Sequence, residues 1–205
     1  MVKIKTYIFA VVFLVLLMGP QVRAADSTVS REYQVKAAFL YNFLMFVDWP
    51  LEKMADSNEP IIIGIIGKDQ FENAFEPVKD KLAKDRKVIV KRFKGLEELK
   101  KNEAELNQTI EAIRKCHLLY ICRSEAVSLK EILNLIKGCS VLTVAGMENF
   151  LESGGGIINF VVEEDKVRFE INLTAAKQAK LQIRSQLLRL AKRVMGEEVS
   201  QGAKN

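Results

Sequence analysis

The run Ile61-Ile62-Ile63-Gly64-Ile65-Ile66-Gly67 constrains the fold more than any other segment of the chain. It is continuous, apolar and rich in β-branched residues, and it ends in glycine. A strand with one face in water alternates apolar and polar residues, whereas a strand buried on both faces is apolar throughout. The run therefore predicts a central strand of a mostly parallel sheet with helices on both faces.

Helical and strand-like segments alternate along the chain, as such a sheet requires. A helix is predicted from Val35 to about Asp48, because Pro50 disfavours helical geometry in the residue before it. Asp69 is predicted to cap a helix that begins at Gln70. The other predicted elements of this part are strands over 87–93, 117–122 and 141–144, and helices over 96–115, with a break near Asn107, and over 126–137.

The pattern changes toward the end of the chain. Two strand-like runs, Gly156 to Glu163 and Lys166 to Leu173, are joined at Glu164-Asp165 and predict an antiparallel hairpin. A last helix is predicted from about Ala175 to Val194, because apolar residues recur there at helical spacing. We expect a single α/β domain over residues 26–205, with a central mostly parallel sheet and a C-terminal antiparallel hairpin.

The first residues have the layout of a secretory signal. Lys3 and Lys5 precede an apolar run from Ile8 to Met18, and small residues follow at Ala24 and Ala25. The run is shorter than the roughly 20 residues that span a bilayer, which disfavours a membrane anchor. We predict a signal peptide over residues 1–25, cleaved after Ala24 or Ala25, and hence an exported protein.

Composition excludes several classes of function. Removal of Lys3, Lys5 and Arg23 with the signal leaves 28 basic and 26 acidic residues, a net charge of +2 that gives little support to nucleic-acid binding. One histidine and three cysteines cannot form multi-histidine or paired C-x-x-C zinc sites. No metal and no cofactor are predicted.

A catalytic role is not predicted either. His117, the single histidine, opens a buried strand, whereas α/β enzymes place catalytic groups at the carboxyl ends of strands, so we expect a structural role for it. The turn from Gly64 to Asp69 lacks the glycines of a P-loop or dinucleotide site and predicts a tight turn. The Ser153–Gly156 stretch leads into a strand instead of a helix and predicts a loop.

The cysteines leave two possibilities open. Cys116 and Cys122 lie about 20 Å apart along one extended strand and cannot form a disulfide. Cys116 and Cys139 precede successive strands, and in a parallel arrangement they would lie at the same edge of the sheet. A Cys116–Cys139 disulfide is therefore compatible with the sequence, and so are three buried thiols.

Basic residues are frequent in the predicted last helix. They suit either a solvated helix face or docking to anionic lipid head groups or an acidic partner. They are Lys177, Lys180, Arg184, Arg189, Lys192 and Arg193.

Several blocks of the chain resemble the YfiR/HmsC-like family. The opening block is Val-Lys-Ala-Ala-Phe-Leu-Tyr-Asn-Phe at residues 35–43, followed by Val-Asp-Trp-Pro at residues 47–50. Blocks at residues 63–69, 116–121 and 155–160 fit in order, and Val167–Leu173 with the predicted helix after it completes the pattern.

The resemblance implies a periplasmic α/β protein without catalytic activity. Such a protein would repress a membrane diguanylate cyclase by binding its periplasmic part, and so lower cyclic di-GMP and biofilm or exopolysaccharide output. Family members can form homodimers, and disulfides matter in some of them. Three cysteines do not allow two disulfides within one chain.

Two hypotheses follow. The first is a regulatory protein that contacts its partner through exposed parts of the first helix and the glycine loops. The second is a solute-binding module with its ligand at the carboxyl edge of the sheet near Gly67 and Gly155. The candidate contact residues are Phe39, Tyr41, Phe43, Trp49, Gly67, Asp69, Gly154, Gly155 and Asn159.

Overall fold

The structure is a computed structural model that describes residues 24–56 and 58–196. Nearly all of the predicted signal peptide lies outside these residues, so its cleavage stays a prediction. The chain divides by its internal contacts into residues 1–31 and 32–205, and the whole sheet belongs to the second unit.

The described residues contain six α-helices and ten strands. The helices are α1 Ala24–Phe46, α2 Leu96–Leu99, α3 Glu103–Lys115, α4 Leu129–Leu135, α5 Leu173–Gln178 and α6 Ser185–Leu188. The strands are β1 Val47–Asp48, β2 Ile61–Ile66, β3 Leu82–Ala83, β4 Arg86–Phe93, β5 Leu118–Ile121, β6 Leu142–Ala145, β7 Ile158–Glu163, β8 Lys166–Asn172, β9 Gln182–Ile183 and β10 Arg193–Met195. Short 3-10 helices lie at Leu51–Met54, Glu76–Val78 and Arg123–Glu125.

Eight of the strands form one sheet in the order β10-β8-β7-β6-β5-β2-β4-β3. Strands β4, β2, β5, β6 and β7 are parallel, and β8 returns antiparallel to β7. This confirms the predicted mostly parallel sheet with a C-terminal hairpin. Both hairpin residues, Glu164 and Asp165, have positive φ (48° and 59°), as a two-residue turn between antiparallel strands requires.

The central strand β2 is covered on both faces, as its apolar run predicts. Ile63 and Ile65 belong to the core that includes Leu40 and Phe43 of α1, while Ile66 belongs to a second core with residues of α4. The first helix therefore packs its buried face into the core. Within the part of the chain that is described, no helix is long and apolar enough to cross a bilayer.

The helices differ from prediction at several points. Among the described residues no α-helix begins at Gln70, α1 begins at Ala24 and not at Val35, and α4 spans only Leu129–Leu135 of the predicted 126–137. Asp69 accepts a hydrogen bond from the Phe71 N–H (2.7 Å), but it caps a turn and not a helix, because Glu72 takes a positive φ of 41°. The break in the 96–115 helix lies before Glu103 instead of near residue 107. Asn102 sets the boundary, since its side chain accepts from the Glu105 N–H (3.2 Å) and caps α3.

The predicted helix over 175–194 is wrong. Two short helices and two short strands occupy this segment, and Lys180 has a positive φ of 57° just after α5. Ile183 pairs with Val47, and Val194 pairs with Ile171. Tertiary strand pairing has therefore overridden the local helical spacing.

The basic residues considered for membrane contact therefore do not lie on one continuous helix face. Arg184 forms a bidentate pair with Asp48 (2.8 Å for both hydrogen bonds), and Arg193 pairs with Glu170 (2.8 Å). Lys192 pairs with Glu163. Half of the basic residues counted toward a membrane surface thus have acidic partners within the fold.

Candidate functional site

Open α/β sheets bind ligands outside the carboxyl ends of their strands, where the strand order reverses. In this sheet the chain runs from β2 outward to β4 and then returns to β5 on the other side of β2. The reversal point lies between the carboxyl ends of β2 and β5. Gly67 directly follows β2, and Ser124 and Glu125 follow β5.

The Glu125 carboxylate fills this position. Glu125 is buried, with 6% of its surface exposed, and its Oε2 accepts a hydrogen bond from the Leu96 N–H (2.9 Å). Its Oε1 accepts from the Ser124 hydroxyl (3.0 Å), and the Ser124 Oγ in turn accepts from the Lys68 N–H (2.9 Å).

Two glycines make room for that carboxylate. A Cβ on Gly67 would lie 2.5 Å from Ser124 Oγ and 2.7 Å from Glu125 Oε1, and one on Gly95 would lie 2.6 Å from Glu125 Oε1. Gly67 also has φ +98°, a conformation that favours glycine. The place where related topologies hold an anion is thus occupied by the chain's own side chain. Sequence reasoning missed Glu125, because only the topology brings it beside these glycines.

His117 lies at the opposite end of the same strands and has structural contacts. Its Nδ1 accepts from the Ile62 N–H (3.1 Å), and its carbonyl accepts from the Trp49 indole N–H (3.1 Å). Burial lowers the pKa of His117 to about 4, so the imidazole is neutral near pH 7. Its Nε2 is buried without a hydrogen-bond partner among the described residues.

The aromatic contact candidates of the first helix are mostly interior. Phe43 is fully buried and Trp49 is 7% exposed, so neither side chain is accessible to a partner in this structure. Phe39 is half-buried and packs against Phe43 and the hairpin residue Phe169. The ring centroids of Phe39 and Phe169 are 5.4 Å apart. Tyr41 is also half-buried, and its hydroxyl donates to the Leu82 carbonyl (2.8 Å).

The remaining contact candidates lie on separate parts of the fold. Asp69 forms an ion pair with Arg92 of β4, while Asn159 is buried and its Oδ1 accepts from the Met147 N–H (3.1 Å). Gly154 has φ +85° with open space around it, and Gly155 packs against Leu133 of α4. The structure therefore does not bring the nine candidates together into one exposed surface, and their role as contacts stays a prediction.

All three cysteines are unpaired in this structure. Cys116 and Cys122 are buried, and burial raises the pKa of each thiol to about 12, which leaves them protonated and unreactive near neutral pH. Cys139 is half-buried at the start of the loop before β6. The described residues contain no cluster of three or more histidine, cysteine or acidic side chains that would hold a metal ion.

An open groove of about 460 Å³ lies at the β4 side of the sheet. Its walls are three alternate residues of β4 and the segment that precedes β3. The lining combines three valines and one phenylalanine with two acidic and two basic side chains and one asparagine. The residues are Glu72, Asn73, Phe75, Glu76, Val78, Lys79, Val88, Val90 and Arg92.

The segment 79–94, which carries β3 and β4 beside this groove, is strongly basic, although the lining itself has two acidic and two basic side chains. Residues 79–94 contain eight basic and two acidic side chains, a net charge of +6, whereas the whole chain carries only +5. The rest of the chain is therefore close to neutral. Lys87 and Lys91 of β4 are exposed and have no ion-pair partner within the described part of the chain, unlike Arg92.

Comparison with solved structures gives two distant likenesses. One is a conserved domain protein from Vibrio cholerae O1 biovar El Tor, with 13% identity, a TM-score of 0.46, and coverage of 65% of this chain and 54% of that one. The other is an ABC domain in complex with L-Trp from Streptococcus pneumonia, with 12% identity, a TM-score of 0.44, and coverage of 66% and 55%. This chain thus spans about half the length of each, and at these TM-scores neither likeness carries an argument about function.

Sequence comparison gives a family. No curated protein matches this chain significantly. A family model described as YfiR/HmsC-like matches residues 33–192, which include most of α1, every described strand except β10, and the hairpin. The chain therefore belongs to the YfiR/HmsC-like family.

Proposed function

We propose that this protein is a periplasmic regulator that binds the periplasmic part of a membrane-bound diguanylate cyclase and represses it. The observation that carries the proposal is the family match over residues 33–192. The family is generally regulatory and not catalytic, and its name implies control of a diguanylate cyclase. The predicted signal peptide supports export to the compartment in which such a contact would occur.

Two features of the fold support a protein partner over a small solute. The reversal point of the sheet is filled by Glu125, which accepts hydrogen bonds from Leu96 and Ser124. The groove beside β4 is open and lies next to a strongly basic segment. Charge concentrated beside an open groove is typical of a surface that selects its partner by electrostatic complementarity.

Repression requires unequal binding to two states of the partner. A bound regulator shifts an equilibrium between an inactive and an active cyclase only by its difference in affinity for the two. A tenfold population shift needs a difference of about 1.4 kcal/mol, which a modest interface supplies. The regulator needs no catalytic group of its own.

Deletion of the gene tests the direction of regulation. We expect cellular cyclic di-GMP to rise and to return to its original level when the full chain is supplied on a plasmid. A matched chain that lacks residues 1–25 is expected not to complement, because it stays in the cytoplasm. Unchanged cyclic di-GMP after deletion, or complementation by the chain without residues 1–25, would contradict periplasmic repression.

Cross-linking in living cells tests the partner. The tagged, exported protein is cross-linked, purified and analysed by mass spectrometry. We expect recovery of a membrane protein with a cytoplasmic cyclase domain. Recovery of the protein alone, at good expression and cross-linking yield, would instead favour self-association or a small ligand.

A further inference from the structure

We propose that the outer edge of β4 docks an extended acidic segment of the partner protein, which joins the sheet as an added strand. This deepens the proposed function, on which it rests for the partner being a protein. Strand addition combines main-chain hydrogen bonds with side-chain pockets on alternate residues. The β4 edge offers both, together with a charge pattern that selects the sequence of the added strand.

The main chain of β4 is open along most of its outer side. β3 pairs only with Arg86 and Lys87, so within the described residues Val88–Phe93 has no strand neighbour on that side. The Gly67 N–H donates to the Phe93 carbonyl (3.1 Å), which shows that Phe93 faces β2. Because successive residues of a strand alternate in direction, the N–H and C=O groups of Val88, Val90 and Arg92 point outward.

Those same three residues line the groove. Val88 and Val90 pack against the core beneath α1, and Phe75 and Val78 form the facing apolar wall. A strand added beside β4 would direct every second side chain to this face of the sheet. Apolar side chains at those positions would be buried against the valines.

The intervening positions of the added strand would meet positive charge. Lys87 and Lys91 project from the other face of β4, are exposed, and have no ion-pair partner in the described residues. Lys91 lies within the open stretch, directly across from the added strand, whereas Lys87 pairs with Leu82 of β3 and flanks the end of that stretch. Opposite charges directly across two strands stabilise their pairing, and like charges oppose it. The partner segment therefore alternates apolar residues with aspartate or glutamate.

The same lysines disfavour a second copy of this chain as the occupant. Pairing of β4 with β4 of another molecule would place these basic strands side by side, and lysine on an edge strand is a common guard against such pairing. Outward main-chain donors and acceptors favour a peptide over a lipid surface, because a peptide strand satisfies both kinds of group in register. An acidic strand is the occupant that the backbone and the charge both fit.

The probe is a capped peptide of about nine residues that alternates valine with glutamate, compared with one that alternates valine with lysine. Binding to the purified protein is measured by titration calorimetry, and amide exchange is followed residue by residue. We expect saturable binding of the glutamate peptide only, with slower exchange at Val88, Val90 and Arg92. The double variant Lys87→Glu/Lys91→Glu is expected to weaken binding about tenfold.

The matched control is Lys130→Glu/Lys137→Glu on and just after α4, which makes the same charge change at two exposed lysines remote in sequence. It should change the affinity less than twofold. Equal losses in both double variants, protection at other amides, no saturable binding, or equal competition by a single-stranded oligonucleotide would each overturn the proposal.

The outcome separates this inference from the proposed function. If the gene deletion raises cyclic di-GMP but Lys87→Glu/Lys91→Glu complements it fully and the peptide does not bind, only the edge proposal fails. If the peptide binds as expected but deletion leaves cyclic di-GMP unchanged, the edge proposal stands and the proposed function fails.

Discussion

The carboxyl edge of the sheet has a recognisable sequence motif but its space is filled, whereas the outer edge of β4 has open space but no recognised motif. The carboxyl edge has the glycine turn that is often associated with phosphate binding, yet the Glu125 carboxylate fills it. The β4 edge has no recognised motif, yet it has an open groove of about 460 Å³ and, among the residues that the structure describes, main-chain groups without a strand partner. A glycine turn therefore predicts backbone geometry, and whether that geometry is free to bind depends on side chains from distant segments.

The two regions also differ in how they use charge. At the carboxyl edge the Glu125 carboxylate is buried and accepts hydrogen bonds from groups within the chain. At β4, two lysines are exposed without ion-pair partners in the described residues. A buried, satisfied charge contributes to the unfolding free energy, whereas exposed charge acts mainly on association. The first region is expected to respond to substitution through stability and the second through binding.

The largest expected effect comes from filling the space beside Glu125. Gly67→Ala should lower the free energy of unfolding by about 3 kcal/mol, because its Cβ overlaps Ser124 and Glu125 and φ is +98°. Gly154→Ala is the matched control, with φ +85° but no atom within 4 Å, and should cost about 1 kcal/mol. Urea unfolding of both variants measures the difference. Equal costs would mean that the carboxyl edge is not tightly filled.

The next effect is a dependence of the free energy of unfolding on pH, caused by His117 at the amino end of β5. Burial lowers the pKa of His117, the only histidine, to about 4, while the unfolded chain binds this proton near pH 6.5. The contribution of His117 to stability is therefore complete above pH 6.5 and is lost as the pH falls toward 4. We expect the free energy of unfolding to drop by about 2 kcal/mol between pH 8 and pH 5.

The variant His117→Asn serves as the control for this prediction. It keeps an acceptor for the Ile62 N–H but has no group that titrates in this range. Its free energy of unfolding, measured by urea titration at each pH, should be nearly constant between pH 8 and pH 5. An equal pH dependence in both proteins would assign the effect to other groups.

The smallest expected effect lies at the open edge. Lys87→Glu/Lys91→Glu should change the free energy of unfolding by less than about 0.5 kcal/mol, as for most surface substitutions. Thermal and urea unfolding beside Lys130→Glu/Lys137→Glu would measure it. A loss well above 1 kcal/mol in the β4 variant alone would show that these lysines hold the fold together and are not free for a partner.

Much of the fold was predictable because the relevant signals are local. The apolar run at residues 61–66, the hairpin turn at Glu164-Asp165 and the end of the first helix near Pro50 each follow from neighbouring residues. The same reasoning failed over 175–194, where the apolar spacing fits a helix but Ile183 pairs with Val47 instead. That pairing joins segments more than 130 residues apart, as does the Asp48–Arg184 ion pair beside it.

The candidate site was less predictable than the fold. The aromatic residues chosen from the first helix include the buried Phe43, because a helix apolar on most sides does not reveal which side meets the sheet. The basic segment over residues 79–94 was not singled out from the sequence, because its importance depends on β4 lying near the edge of the sheet. Strand order is a property of the whole topology and not of the segment.

Local signals along the chain are enough to predict the class of fold, the buried central strand, the hairpin and the resemblance to a family, since these depend on periodicity, turn residues and short blocks of neighbouring residues. Long-range contacts place Glu125 at the reversal point, leave β4 with an open edge among the described residues, and form short strands in the last segment. Each of these depends on contacts between residues far apart in sequence, where the free energy of packing and pairing outweighs local preference.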